Sequence, residues 1–355
     1  MATGLAKLSI AVPVLAVLSV VGAVSSPAQV TLDGSANPRF KGPAPFEAGS
    51  YDLRAELGHR AGPNLFHSFG KFSLRTGERA TFSGPDRIER IISRVTGGAR
   101  SDIDGTIAST IPGADFYFLN PAGVVFGPNA SLDLQGSFHV STADELRFAD
   151  GAAFSAADPT ASSFTVASPE AFGFLGAQPA ALEVRGSTLA VRATETLSLV
   201  GGPLEVRGGL PTSFVAAPAG TINLVATAEP GEVTVGDGRL RTPPAAQLAP
   251  ILITDEALVF AGLLFEGSDG FARLRLRGHT IVIDRAQLSL DNLTAQDLPG
   301  VIDIRGRQIL VRNSDLTADS LDAGAAGRIR IEAGSILIID QASSVRSDAL
   351  ADGAA

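Results

Sequence analysis

The chain has 355 residues, 45% of them hydrophobic and only 18% charged, with a net charge of -9 and no cysteine. The missing cysteine excludes a disulfide framework and thiolate metal sites. An acidic chain without a basic block argues against a nucleic-acid partner, because phosphate binding needs clustered Lys and Arg.

Residues 1–24 carry Lys7 as their only charge, and the apolar run over 8–24 is broken once, by Pro13. Small residues follow at Ser25, Ser26 and Ala28. A basic start, an apolar centre and a small-x-small site predict a signal peptide over 1–28, cleaved near Ala28-Gln29. A spanning helix wants about 20 apolar residues without a breaker, and this run is shorter. The later apolar segment over 248–265 carries Asp255 and Glu256 at its centre and is no better a candidate.

Residues 64–148 alternate aromatic and aliphatic side chains with polar ones in short runs, punctuated by Gly, Pro, Asn or Asp at nearly every joint. That is the pattern of many short strands joined by tight turns. Its motifs come in a fixed order. Asn64-Leu65-Phe66-His67-Ser68-Phe69 and Phe72-Ser73-Leu74 are followed by Ile91-Ile92-Ser93-Arg94-Val95-Thr96-Gly97. Then come Ile103-Asp104-Gly105-Thr106-Ile107, Asn120-Pro121-Ala122-Gly123-Val124 and Phe126-Gly127-Pro128. The series resembles the N-terminal secretion domain of the filamentous haemagglutinin family, the large exoproteins of bacterial two-partner secretion. It includes that family's I-x-x-V-T-G element and its NPNGI turn. Two positions depart: the second Asn of NPNGI is Ala122, and Ser83-Gly84-Pro85-Asp86 stands where the family has NPNL.

The resemblance implies a right-handed β-helix with an N-terminal cap and extra strands outside the first coils. It further implies a secretion domain over 29–270 and a dedicated outer-membrane β-barrel transporter as partner. Asn64, Thr96, Gly97, Asn120, Pro121, Gly123 and Val124 are the matching secretion-motif candidates. For Asn120-Pro121-Ala122-Gly123 the primary reading is a β-turn, with Pro121 fixing φ and Gly123 free to take a positive φ. Tight corners are likewise the default at Asn64 and Gly97-Gly98. A chain without cysteine also suits passage of a second membrane in the unfolded state. Adhesion or haemagglutination is the family's usual final activity, with host-cell or surface glycans as the kind of ligand.

From Phe271 onward a repeat emerges independently of any resemblance. Leu274-x-Leu276, Ile302-x-Ile304 and Ile329-x-Ile331 open three units, followed by Ile281-x-Ile283, Ile309-x-Val311 and Ile336-x-Ile338. Third apolar spots follow at Leu288, Leu316 and Val345, and Gly278, Gly306 and Ala333 separate the first two pairs. A spacing of two predicts strands rather than helices. Three short inward-facing strands per unit of about 27 to 28 residues stack most simply as a parallel β-helix. Less regular pairs precede them at Leu182-x-Val184, Leu189-x-Val191, Leu197-x-Leu199, Leu204-x-Val206, Ile222-x-Leu224 and Val233-x-Val235. The fold class is therefore all-β, with the repetitive part at 271–355.

A solenoid leaves raw strand edges at both ends. Residues 30–57, with Asn37-Pro38, Gly42-Pro43 and Pro45, are expected to cap the first. Nothing comparable follows Val345, so the sequence is expected to be the N-terminal part of a longer protein.

Catalytic, cofactor and metal sites are not expected. The four histidines, His59, His67, His139 and His279, have no ligand spacing, and His67 reads as a satisfied structural residue beside Ser68. Asp102 and Asp104 share a strand face, where turn capping is the commoner role than the paired carboxylates of glycoside hydrolysis. Phosphate-loop, nucleophile-elbow and zincin motifs are missing. Because lyases and glycosidases also use β-helices, an exported polysaccharide-cleaving enzyme is the alternative, and a structural surface protein the third reading. The outward residues Arg273, Arg275, Asp303, Arg305, Arg328 and Arg330 alternate in sign without converging on a catalytic set.

Overall fold

The structure is a computed structural model that describes residues 29–209, 213–235, 240–263, 271–294, 300–320 and 325–349. The expected signal peptide lies outside the described residues. Three faces of parallel strands wind into a right-handed parallel β-helix. The first face runs through Asn64–Phe72, Arg90–Val95, Asp115–Leu119, Phe138–Ser141, Thr196–Gly201 and Thr221–Ala226. The second holds Ser101–Ile103, Val124–Phe126, Leu182–Arg185, Leu204–Arg207 and Ile251–Thr254. The third starts at Ser50–Arg54 and Arg79–Ser83 and reaches Ser344–Arg346.

Register follows from the inward alternation. Leu197, Ile222, Leu274, Ile302 and Ile329 stack rung upon rung, so every coil buries the apolar row of the one before it. The bore changes character along the axis. In the first coils it is filled by rings, among them Phe69, Phe72, Phe82, Phe116 and Phe118, whose neighbouring centroids lie 4.7 to 6.4 Å apart. Later coils replace them with Leu, Ile and Val. That substitution makes the early sequence look irregular and the later one repetitive.

Three sequence expectations change in detail. The two apolar pairs of each late unit share one strand, Ala272–Asp284 and then Gly300–Arg312. The ladder continues through Gly278 and Gly306, which pair with each other. A Cβ at Gly278 would lie 2.9 Å from Ile251 Cγ1, so glycine lets the chain bend there without leaving the sheet. In the last unit a register shift between Gly306 and Gln308 places Leu337 and Ile339, not Ile336 and Ile338, in line with inward Ile309 and Val311. One extra residue flips the exposed and inward sets. Finally, Val233 belongs to no coil; it sits in Gly231–Thr234, a strand outside the helix.

That strand completes a four-stranded antiparallel sheet with Glu145–Phe148, Ala153–Ser155 and Pro169–Phe174. Two excursions of the chain build it, one before Leu182 and one before Ile251. Its apolar side covers outward residues of the first face, and Phe66, Ile92, Tyr117, Val200 and Val225 form a second core with Leu146, Phe148, Phe154 and Phe172. The cap is equally specific. His59–Ala61 and Val30–Leu32 pair antiparallel with the two halves of Asn64–Phe72 and close its free edge. The expected cap nevertheless already contains a rung, because Ser50–Arg54 runs parallel to Arg79–Ser83.

Phe66 packs within 6.0 Å, centroid to centroid, of Phe148, Phe154 and Phe164. Phe66→Ala is expected to cost about 3–5 kcal/mol and to make residues 145–174 the first protease-sensitive segment. Urea titration and limited proteolysis would check this; first cleavage within the late coils would contradict it.

Candidate functional site

Six of the seven secretion-motif candidates gather where the first face turns into the second. Thr96 and Gly97 leave the Arg90–Val95 strand, and Asn120-Pro121-Ala122-Gly123 leaves Asp115–Leu119 on the next rung. The Thr96 N–H donates to the Phe69 carbonyl at 2.8 Å. A Cβ on Gly97 would lie 1.9 Å from the Gly70 carbonyl oxygen, so only glycine lets these two corners approach.

Asn120 is fully buried and joins three coils. Its Nδ2 donates back to the Ala99 carbonyl (3.0 Å) and Ser101 Oγ (2.9 Å), while its backbone N–H donates forward to the Ser141 carbonyl (2.9 Å). Within its own turn, Oδ1 accepts from the Ala122 N–H and the carbonyl accepts from the Gly123 N–H, both at 3.0 Å. Pro121 occupies the second turn position and Gly123 takes φ +108°. Only the backbone of Ala122 enters these bonds, which explains how the turn survives alanine at that position. Val124 is buried in the bore and pairs with Ser101 and Leu182. Asn64 stands apart, at the opposite end of the first-face strands. Its Nδ2 donates to the Thr165 (2.8 Å) and Ala167 (2.7 Å) carbonyls, tying the first coil to the outer excursion.

The polar centre that organises this corner was not singled out in the sequence. Arg94 is fully buried. Its Nε donates to Ser68 Oγ and its Nη2 to Ser35 Oγ, both at 2.8 Å, and Nη1 donates to the Ser155 carbonyl and Ser162 Oγ. The guanidinium lies 4.0 Å from the Phe154 ring centroid. Ser35 and Ser68 pass the charge on to Asp33, whose Oδ2 also accepts from Thr96 Oγ1 at 2.7 Å. Burial alone would raise the Asp33 pKa, but hydrogen bonds from Ser35, Ser68 and Thr96 outweigh it and hold the carboxyl below its usual range. Burial pushes Arg94 down to about 10, opposed by Asp33 and Asp158. A charged residue inside the apolar run Ile91-Ile92-Ser93-Arg94-Val95 was the available signal, since an arginine is rarely fully buried unless paired.

Asp102 and Asp104 serve turns and ion pairs locally. Arg100 Nη2 lies 2.7 Å from Asp102, while Asp104 accepts from Thr76 Oγ1 and from the Asn129 backbone (2.9 Å) and side chain (3.0 Å). His67 is structural but not satisfied. Its ring points into the bore, 5.2 Å from Phe82, away from Ser68, and neither ring nitrogen has a hydrogen-bond partner among the described residues. His139 stacks on Tyr117 at 4.5 Å and meets Ser198 Oγ at 3.0 Å.

Gly97→Ala must displace the Gly70 backbone, and a cost of about 1–3 kcal/mol is expected. At Gly98 nothing lies within 4 Å of an added Cβ and only its φ of +71° is strained, so alanine there should cost about 1 kcal/mol. Equal urea midpoints for the two variants would refute the close approach.

Burial lowers the pKa of His67 to about 3 and that of His139 to about 4, from 6.5. Both rings therefore stay neutral in the fold while the unfolded chain takes up protons. The stability they contribute is complete above pH 6.5 and falls as the pH drops toward 4, by about 1.4 kcal/mol per pH unit for each histidine. His67→Leu should flatten that fall in urea midpoints measured across the window. An unchanged slope would mean that the His67 ring is not held neutral.

A family model described as the TPS secretion domain matches residues 55–292. No curated protein matches the sequence. Among solved structures, the chain is similar to the HMW1 secretion domain from Haemophilus influenzae. The TM-score is 0.57 at 15% identity, over 85% of this chain and 80% of that one. This likeness shows the shared fold. The family match takes in most of the chain, including all seven motif positions, and the chain belongs to the TPS secretion domain family.

Proposed function

We propose that this chain is the exported partner of a two-partner secretion system. In this reading residues 29–270 engage the periplasmic domains of a dedicated outer-membrane transporter, and the exported body acts as an adhesin or haemagglutinin. The observation that carries the reading is the vectorial construction of the stack. Each first-face strand pairs with the coil immediately before and after it in sequence, so coils can form in the order in which they emerge. Folding outside the cell then biases the chain against sliding back.

Docking by strand addition suits an incoming extended segment, because main-chain hydrogen bonds supply affinity independent of side chains. The buried Asn120 and Gly97 then act through the folding of their corner rather than as exposed contacts. Local engagement of Asp102 and Asp104 favours a non-enzymatic role over a polysaccharide-cleaving one.

The test is secretion with and without a co-expressed two-partner transporter. Transporter-dependent appearance in the medium is expected, lost on deleting residues 64–148 and reduced by Asn120→Ala. Retention in the periplasm as a folded, protease-resistant protein would overturn the reading. Undiminished export of variants that dock but fold poorly would remove the folding bias.

A further inference from the structure

Beyond the outer sheet, the outward side of the first face changes character. Where early coils present Phe66, Ile92 and Tyr117 to the second core, the late coils present arginine. Arg273, Arg275 and Arg277 alternate along Ala272–Asp284. Parallel register sets Val301, Asp303 and Arg305 beside them, and Arg328, Arg330 and Glu332 on the next rung. Six guanidinium groups share this surface with two carboxylates, an excess of four positive charges on a chain whose net charge is -9. Both carboxylates are engaged. Asp303 lies 2.6 Å from Arg277 Nη2 and 2.9 Å from Arg305 Nε, and Glu332 meets Arg305 at 3.2 Å and also Arg330.

The surface is also shaped. Leu240, Pro243 and Leu248, returning from the outer sheet, form one wall of a cleft of about 390 Å³ with Arg275, Arg277, Asp303 and Arg305 along the other. Burial, followed by repulsion from Arg273 and Arg277, lowers the pKa of Arg275, with Asp303 opposing. Arg273 is held over the Phe271 ring, 4.1 Å from its centroid.

We propose that this arginine ladder binds an acidic polysaccharide through its carboxylate or sulfate groups. Planar guanidinium forks match both anions in bidentate geometry. Rungs repeat at about 4.8 Å, which presents a row of cations to an extended, regularly charged polymer. The cleft wall keeps a flat bilayer from Arg277, which is only 9% exposed. The inference rests on the reading of the chain as an exported surface protein. Its test uses purified protein, so failure here leaves the export reading standing.

Polygalacturonate and dextran sulfate serve as carboxylate and sulfate probes, with neutral dextran and phosphatidylglycerol vesicles as comparisons. At least one acidic polymer is expected to bind in a salt-dependent manner, and dextran not to bind. Arg273→Gln/Arg275→Gln/Arg328→Gln should weaken that binding by about tenfold or more. Arg39→Gln/Arg54→Gln/Arg60→Gln, the same charge change on exposed residues of the cap region, should leave it nearly unchanged. Thermal melting of both variants verifies their folds. Acidic polymers binding no better than dextran, or equal weakening by the two variants, would overturn the proposal. So would vesicles binding as tightly as the polymers through the same arginines.

Discussion

In a stack of parallel coils the backbone N–H and C=O groups of each rung point along the axis, and each rung is stable only when another pairs with it. Most of this architecture answers that constraint. Inward apolar rows fix the register between coils, and Gly278 and Gly306 keep two faces in one continuous ladder through a bend. At the N-terminal end, two short antiparallel strands cover the two halves of Asn64–Phe72. Turning the neighbouring strands antiparallel closes the edge without offering another parallel coil.

The outer sheet breaks the simple coil-by-coil order, with consequences for folding. Pro169–Phe174 pairs with Gly231–Thr234, so the second core closes only after both excursions are in place. Arg94 links this assembly to the cap. Its guanidinium reaches Ser35 of the cap region, Ser68 of the first coil and Ser155 and Ser162 of the first excursion. Losing any of these partners would leave a buried charge less compensated, an expensive outcome in a low-dielectric setting. Cap, early coils and outer sheet are thereby coupled, while later coils add onto a finished platform.

The same distinction separates the motif corner from the arginine ladder. The motif corner around Thr96, Gly97 and Asn120 is an internal fastening, held by buried hydrogen bonds and a close backbone approach. The arginine ladder is an outward surface that appears where the covering sheet ends. One face of one β-helix thus serves as a second core in its early part and a charged cleft in its late part, because covered outward positions demand apolar side chains and open ones do not.

Much was legible in the sequence because strand period and turn chemistry are local. Alternation in Leu274-x-Leu276 and its successors specified parallel coils, Pro121 and Gly123 specified a tight turn, and the ordered motifs specified the family fold. Other features depend on residues far apart in the chain. Val233 has the same alternation as a coil strand, and only its pairing with Phe172 places it in the outer sheet. A single extra residue after Ala333 reversed the facing of Ile336 and Leu337, which no apolar pattern of four consecutive residues can specify. His67 lost its expected partner because alternation sends Ser68 to the other side of the strand. Arg94 and Asp33 met through Ser35 and Ser68, and the arginines of three separate rungs became one surface. Local sequence determined which segments form strands and turns. Tertiary structure decided which of them lie side by side, because burial and charge depend on neighbours brought together only by the winding of the coil.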